Sequence, residues 1–290
     1  MSWRTVVVSS SAKLEYQMGY LIVRTSEKTK IHLSEIAVLM IESTAVSLTA
    51  ALLNELTKRK IKVIFCDEKR NPSSELISYY GSHDTSVKIR KQTQWSDETK
   101  LAVWTSIVSD KIRKQAEHLQ EYSLPEADVL SSYLNEIEFG DATNREGHSA
   151  KVYFNALFGM SFTRTDANSL NAALNYGYSI LLSAFNREIV SNGYITQLGL
   201  SHSNMYNQFN LASDLMEPFR PLVDRIVKEL SPTVFERDEK MEILHLLQQE
   251  VLIGDRHETV LNAIKIYTKS VLDALSDNNL VTIKFYEYEL

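Results

Sequence analysis

The sequence predicts an α+β fold, with a small β-rich domain over residues 1–85 and a larger all-α domain over residues 86–290. Three observations predict it. Short β-branched and alternating runs crowd into the first 66 residues. A strand–helix–strand crossover closes that region. Beyond Ile89, apolar residues recur mostly at helical period.

Taken in order, Thr5-Val6-Val7-Val8 is a β-branched run. Residues 13–16 and 20–24 flank Gly19 as a hairpin, and residues 30–33 and 36–41 suggest two more strands. Leu48, Leu52, Leu53 and Leu56 then recur at helical spacing. Lys58-Arg59-Lys60 suits the end of that helix, where the dipole favours cations. Residues 61–66 return to a strand. Asn71-Pro72-Ser73-Ser74 and Tyr80-Gly81-Ser82 read as turns, which places the domain boundary near Thr85. Helical patterns follow over residues 89–122, from Pro125, and over 145–158, 170–191, 207–230, 241–251 and 257–275. Pro218 and Pro221 interrupt the fifth of these. Residues 280–288 read as a strand or a loosely held end.

The bulk numbers set limits. With 290 residues the chain fits one large domain or two ordinary ones. Hydrophobic residues at 44% and charged residues at 23% describe an ordinary globular mix and argue against disorder. No apolar run approaches the roughly 20 residues that cross a bilayer, and the first eleven residues lack a signal-peptide pattern. The single cysteine, Cys66, rules out an internal disulfide and a cysteine zinc cluster and reads as a buried strand residue. A cytoplasmic location with no membrane partner is the default. The net charge of −6 argues weakly against nucleic acid, because binding depends on local patches.

Three segments concentrate acids and histidine: Asn144-Arg145-Glu146-Gly147-His148-Ser149-Ala150, Gly199-Leu200-Ser201-His202, and Asp214-Leu215-Met216-Glu217-Pro218-Phe219-Arg220-Pro221. Asp214 and Glu217, three apart, share a helical face among Leu211, Leu215 and Met216. Carboxylates beside an apolar surface need a counter-charge, which a divalent cation or an arginine supplies. The bland alternatives are a solvated acidic face, a structural histidine, and a first-turn acid at Glu146 that suits the helix dipole. Spacing alone does not join three segments so far apart.

These segments resemble the CRISPR-associated endonuclease/integrase family that acquires new spacers. Arg145-Glu146-Gly147 with Ala150 and Tyr153-Phe154 is similar to its first motif, and Leu174-Asn175-Tyr176-Gly177-Tyr178 with Leu181 to its central helix. Gly199-Leu200-Ser201-His202 resembles its histidine motif, and the Asp214–Pro221 run with Asp224 its acidic motif. The wording is most similar to the type II-A branch. The resemblance implies a catalytic metal, Mg²⁺ or Mn²⁺, on Glu146, His202 and Glu217, with Asp214 as an auxiliary acid. His148 reads as an ordinary exposed helix residue, and Tyr176 and Tyr178 as core.

The resemblance further implies transesterification on double-stranded DNA, in which the 3′-hydroxyl of an incoming prespacer attacks a phosphodiester at a repeat edge. It implies homodimers formed through the N-terminal domain, with residues 36–41 half core and half interface. Two homodimers would flank a central dimer of the small second adaptation protein. A type II-A effector nuclease and an accessory DNA-end-binding protein are the further partners it suggests. For DNA contacts, residues 85–120 hold seven Lys/Arg against four Asp/Glu. Lys88, Arg90 and Lys91 form one cluster and Lys111, Arg113 and Lys114 a second, with Arg164 as a separate phosphate contact; a solvated helix face is the alternative. Rival readings are a metal-dependent nuclease acting on branched DNA in repair and a non-catalytic helical DNA-binding module. A zinc hydrolase is disfavoured because no HExxH pair is present.

Overall fold

β-Branched and aliphatic runs build two four-stranded sheets in the first part of the chain. The computed structural model describes residues 4–78 and 82–288, and the chain divides into two compact units, Met1–Gly81 and Ser82–Leu290. The first unit holds β1 (Arg4–Val8), β2 (Ala12–Gln17), β3 (Tyr20–Arg24), β4 (Lys28–His32), β5 (Ile36–Ile41), β6 (Val46–Leu48), α1 (Ala50–Lys58), β7 (Lys62–Cys66) and β8 (Pro72–Leu76).

One sheet runs β1-β5-β7-β8 and the other β4-β3-β2-β6. β5 and β7 are parallel, with α1 in the connection between them, which is the crossover expected from the sequence. Thr49 caps α1 by accepting from the Leu52 backbone N–H at 3.3 Å. Leu52 and Leu56 are fully buried and join Leu14, Leu21, Leu39 and Val63 in one core. Each such side chain contributes about 1.5–3 kcal/mol.

Two expectations need correction here. Every residue of β5 is buried, and its neighbours β1 and β7 occupy both of its edges, so residues 36–41 offer no half-open face to a second subunit. The segment at Asn71-Pro72-Ser73-Ser74 is the start of β8 rather than a turn. The reversal lies just before it, where the Asp67 carboxylate accepts from the Asn71 N–H at 2.9 Å. Proline is tolerated at the start of this edge strand because it has no N–H to lose from the ladder. The turn at Tyr80-Gly81-Ser82 lies in part outside the described residues.

The second unit is mainly helical: α2 (Thr85–Gln92), α3 (Asp97–Glu121), α4 (Glu126–Tyr133), α5 (Arg145–Phe158), α6 (Ser169–Ser191), α7 (Asn210–Leu215), α8 (Arg220–Leu230), α9 (Arg237–His245) and α10 (Val260–Asp277). The continuous helix expected from residue 89 to 122 is broken in two. Ser96 starts a new helix by accepting from the Thr99 N–H at 3.1 Å, and Trp95 packs its ring on Tyr194.

The α+β division read from the sequence holds, with an addition to the helical part. A small sheet of β9 (Glu250–Ile253), β10 (His257–Thr259) and β11 (Tyr286–Glu287) runs in the order β10-β9-β11. Its hairpin turns at Gly254-Asp255, both at positive φ, and Ile253 and Arg256 exchange backbone hydrogen bonds across it. Among the described residues no helix is long and apolar enough to cross a membrane.

α6 and α8 approach each other closely at Gly177, which lies between Val223 and Ile243. A Cβ there would stand 2.4 Å from the Val223 methyl group. Gly177→Ala is expected to lower stability by about 1–3 kcal/mol through overpacking, despite alanine's better helix propensity. Denaturant unfolding checks it, and an unchanged midpoint would show that the helices can separate at no cost.

Candidate active site

The first acidic residue is placed by a cap. The buried Asp141 carboxylate accepts from the backbone N–H groups of Arg145 at 2.7 Å and Glu146 at 3.1 Å. These bonds satisfy free donors at the N-terminus of α5 and hold Glu146 in its first turn, where the helix dipole favours a carboxylate. Gly147 stays small because the Asn144 side chain folds over it, 2.9 Å from where a Cβ would sit.

Glu217 is placed by packing. It opens a single 3₁₀ turn, Glu217–Phe219, between α7 and α8. Phe219 packs its ring at a tilt against Tyr286 (centroids 4.5 Å apart) and Tyr267 (5.3 Å) and edge-on to Phe185 (5.3 Å), and the Tyr286 hydroxyl donates to the Pro218 carbonyl at 3.0 Å. Glu217 itself is 3% exposed.

His202 is placed by Asp214. That carboxylate is fully buried and accepts from the backbone N–H groups of Leu200 (2.6 Å), Ser201 (3.2 Å) and His202 (3.1 Å), and it pairs with His202 Nδ1 at 2.5 Å. The loop can wrap so tightly only because residue 199 is glycine: a Cβ there would lie 2.4 Å from the His202 carbonyl and 2.7 Å from Asp214 Oδ2. Asp214 is thus an orienting partner rather than an open auxiliary acid. Its hydrogen bond is the main cause that raises the His202 pKa, outweighing partial burial. With Nδ1 turned to the carboxylate, the imidazole presents Nε2 outward, the arrangement in which metal-binding histidines are held. The ring stands edge-on to Trp104 at 6.0 Å and borders a cleft of about 620 Å³ lined by Gln92, Trp95, Asn204 and Asn210.

Glu146 and Glu217 converge on one atom, the Lys111 ammonium. Lys111 pairs with Glu146 and lies 2.5 Å from Glu217, while Arg220 holds the other Glu217 oxygen at 2.9 Å. Lys111 is almost fully buried. Burial alone would depress its pKa, but the Glu217 and Glu146 carboxylates outweigh that and raise it. Burial likewise pushes the Glu217 carboxyl up, and Arg220 and Lys111 reverse the shift, so the group stays ionised. Breaking such a buried pair costs about 3–5 kcal/mol.

Among the described residues no three His, Cys, Asp or Glu side chains stand together as a ready ligand sphere. The Lys111 ammonium fills the position toward which both the Glu146 and Glu217 carboxylates point. The donor set around it, two carboxylates with a tethered imidazole nearby, suits a hard divalent ion of the Mg²⁺ or Mn²⁺ kind.

The expected DNA contacts divide. Lys111 and Lys114 do not belong to a solvated basic face. Both fall on the apolar stripe of α3, and Lys114 pairs with Asp110 and lies 3.7 Å from the Tyr286 ring centroid. Arg113 is committed to Asp110 and Glu117. Arg90 and Lys91 are exposed, whereas Lys88 is half-buried over Tyr194. Arg164 donates to Asn171 and Asn175 and rests over the Tyr178 ring. His148 is exposed, as expected, and Tyr176 and Tyr178 are buried, with Tyr178 donating to Asp224 at 2.5 Å.

The sequence reading missed Asp141 and the bridging role of Lys111, and it left open the arginine counter-charge that Arg220 supplies to Glu217. The available signal was a charged residue on an otherwise apolar helical stripe, with Trp104, Ile107, Lys111, Lys114 and His118 at i+3 and i+4 steps.

The model of the family described as CRISPR associated protein Cas1 matches residues 5–245. The chain belongs to the Cas1 family. It is 33% identical over 309 aligned positions to the CRISPR-associated endonuclease Cas1 of Neisseria meningitidis serogroup C strain 8013, covering all of both chains. A Cas1 protein from Thermotoga maritima shares the fold at a TM-score of 0.77 and 18% identity, over 94% of this chain and 97% of that one. A casposase bound to its integration product shares it at 0.76 and 19%, over 96% and 91%.

Asp214→Asn is expected to loosen the His202 loop and return the His202 pKa toward its ordinary value near 6.5. In the native protein the raised pKa makes the His202–Asp214 pair stabilising below the unfolded-state value, and that contribution fades as pH rises through the folded-state value. Imidazole proton resonances followed through a pH titration check this. Identical titration midpoints in both proteins would refute the orienting role.

Proposed function

We propose that this Cas1-family chain is a divalent-metal-dependent DNA integrase and endonuclease that inserts prespacers into a CRISPR array. The convergence of Glu146 and Glu217 on one buried cation position, beside a histidine oriented by Asp214, carries the reading. Glu146, His202 and Glu217 would hold Mg²⁺ or Mn²⁺, which when bound supplies Lewis-acid stabilisation to a phosphodiester undergoing in-line displacement.

The chain's own groups do the positioning. The Asp141 cap and the Phe219 ring packing fix where the two carboxylates point, and Arg220 keeps Glu217 ionised. Asp214 fixes which imidazole nitrogen faces outward. The cleft beside His202 gives a DNA end a path to that nitrogen. A 3′-hydroxyl as nucleophile gives strand joining, and water in its place gives cutting, so both activities follow from one site. The family resemblance supports homodimers that flank a dimer of the small second adaptation protein. The type II-A-like wording of the motifs supports a companion effector nuclease and a DNA-end-binding protein.

The test is a half-site integration assay with a fragment bearing a free 3′-hydroxyl and a repeat-bearing plasmid, with and without the small partner. Joined products are expected with the native chain and Mn²⁺. Glu217→Ala should reduce them on the order of 10²–10³-fold, the usual cost of removing a charge-stabilising group. Cut products without joined ones would favour the branched-DNA nuclease instead, and full activity in the variant would leave a non-catalytic binding module.

Arg90 and Lys91, exposed near the end of α2, are proposed as phosphate contacts. Charge reversal of both to Glu should weaken duplex binding and lower the slope of log affinity against log salt by about 0.9 for each phosphate that is no longer neutralised. Unchanged binding across a salt series would remove this surface from the DNA path.

A further inference from the structure

Within the site, Glu146 and Glu217 carry two negative charges, and Lys111 and Arg220 carry two positive ones in direct contact with them. The pocket is therefore already neutral. A divalent ion entering it in this state would face two resident cations in a buried setting, where charge imbalance is expensive. Arg220 belongs to the same turn region as Glu217 and pairs with the oxygen that Lys111 does not touch, so it need not move. Lys111 reaches in from a different helix, α3, and its ammonium lies between the two carboxylates.

We infer that Lys111 is a resident competitor for the metal position, a positioning residue that assembles the two carboxylates in the metal-free protein and must withdraw before a divalent ion can bind. The inference rests on the metal reading given above. The lysine has a flexible four-carbon stem, so its ammonium can leave while its backbone stays in α3. In the metal-free state it removes the repulsion between the buried Glu217 and the half-buried Glu146 carboxylates, and in the loaded state the ion takes over that task. Metal affinity of the free protein is thereby set below what the donor set alone would give.

The experiment is a calorimetric titration of Mn²⁺ into the full-length, metal-stripped protein, comparing the native chain with Lys111→Met, Lys111→Gln and Lys111→Arg. The expected result is a Kd at least tenfold lower in both neutral variants and no gain in Lys111→Arg. Thermal unfolding with and without Mn²⁺ supplies a second readout, because ligand that binds only the folded state raises the midpoint in proportion to its affinity. The Mn²⁺-induced rise should be larger in the neutral variants than in the native chain. If a neutral variant does not fold without metal, purification in Mn²⁺ followed by chelator titration gives the same comparison.

A Kd in Lys111→Met and Lys111→Gln that equals or exceeds the native one overturns the inference while leaving the metal site intact. Absence of Mn²⁺ heat in every protein at millimolar metal overturns the metal reading and the inference together. Mn²⁺ heat that survives Glu217→Gln in the Lys111→Met background places the ion elsewhere and overturns both as well.

Discussion

The interaction on which the helical unit's chemistry depends is the buried ammonium of Lys111 between Glu146 and Glu217. The buried Glu217 carboxylate loses its hydration and is repelled by the half-buried Glu146 beside it, and neither cost is met by packing. A single cation between them reverses the balance. Through that cation, three elements distant in sequence, α3, α5 and the turn before α8, are tied at one point. Each is separately anchored: α5 by the Asp141 cap, the turn by tilted and edge-on aromatic packing, and α3 by its own apolar stripe. The site is thus assembled from rigid supports, with one flexible side chain at its centre.

Much of this was legible in the residues. The β-rich start, the crossover through α1 and the long α6 followed from periodicity, because burial on one face imposes a regular pattern. The three acidic and histidine segments stood out by composition, and the structure brings Glu146 and Glu217 to one ion and Asp214 to His202. Lys111 and Lys114 were read as DNA phosphate contacts because a charge count along the chain carries no information about which side of a helix is covered. Their positions on the stripe of α3 held that information, but charged residues were not weighed as core. In the C-terminal sheet, β11 lies in the tail read as a strand or a loosely held end, but β9 and β10 were missed for another reason. Its strands span two to four residues, too short for alternation to register, although Gly254-Asp255 is a hairpin signal.

The loop that carries His202 shows how a motif encodes geometry through what it excludes. Gly199 contributes no chemistry, yet any side chain there would strike the His202 carbonyl and the Asp214 carboxylate. Three successive backbone donors can then close on one buried oxygen pair, and the imidazole completes the set. Asp214 appeared from spacing as a neighbour of Glu217 on the same face. In the fold the two acids serve different partners, one a backbone loop and a ring, the other a pair of cations. Sequence spacing identifies which side chains share a helical face but not which neighbours each will meet.

The strand β11 has a consequence for when the Glu217 turn can finish packing during synthesis. Tyr286 closes over Phe219 and binds the Pro218 carbonyl, so the turn bearing Glu217 lacks its covering ring until residue 286 has left the ribosome. A chain ending before β11, even one that contains every acidic and imidazole group of the centre, would leave the Glu217 turn packed on Phe185 and Tyr267 but uncovered on its Tyr286 side.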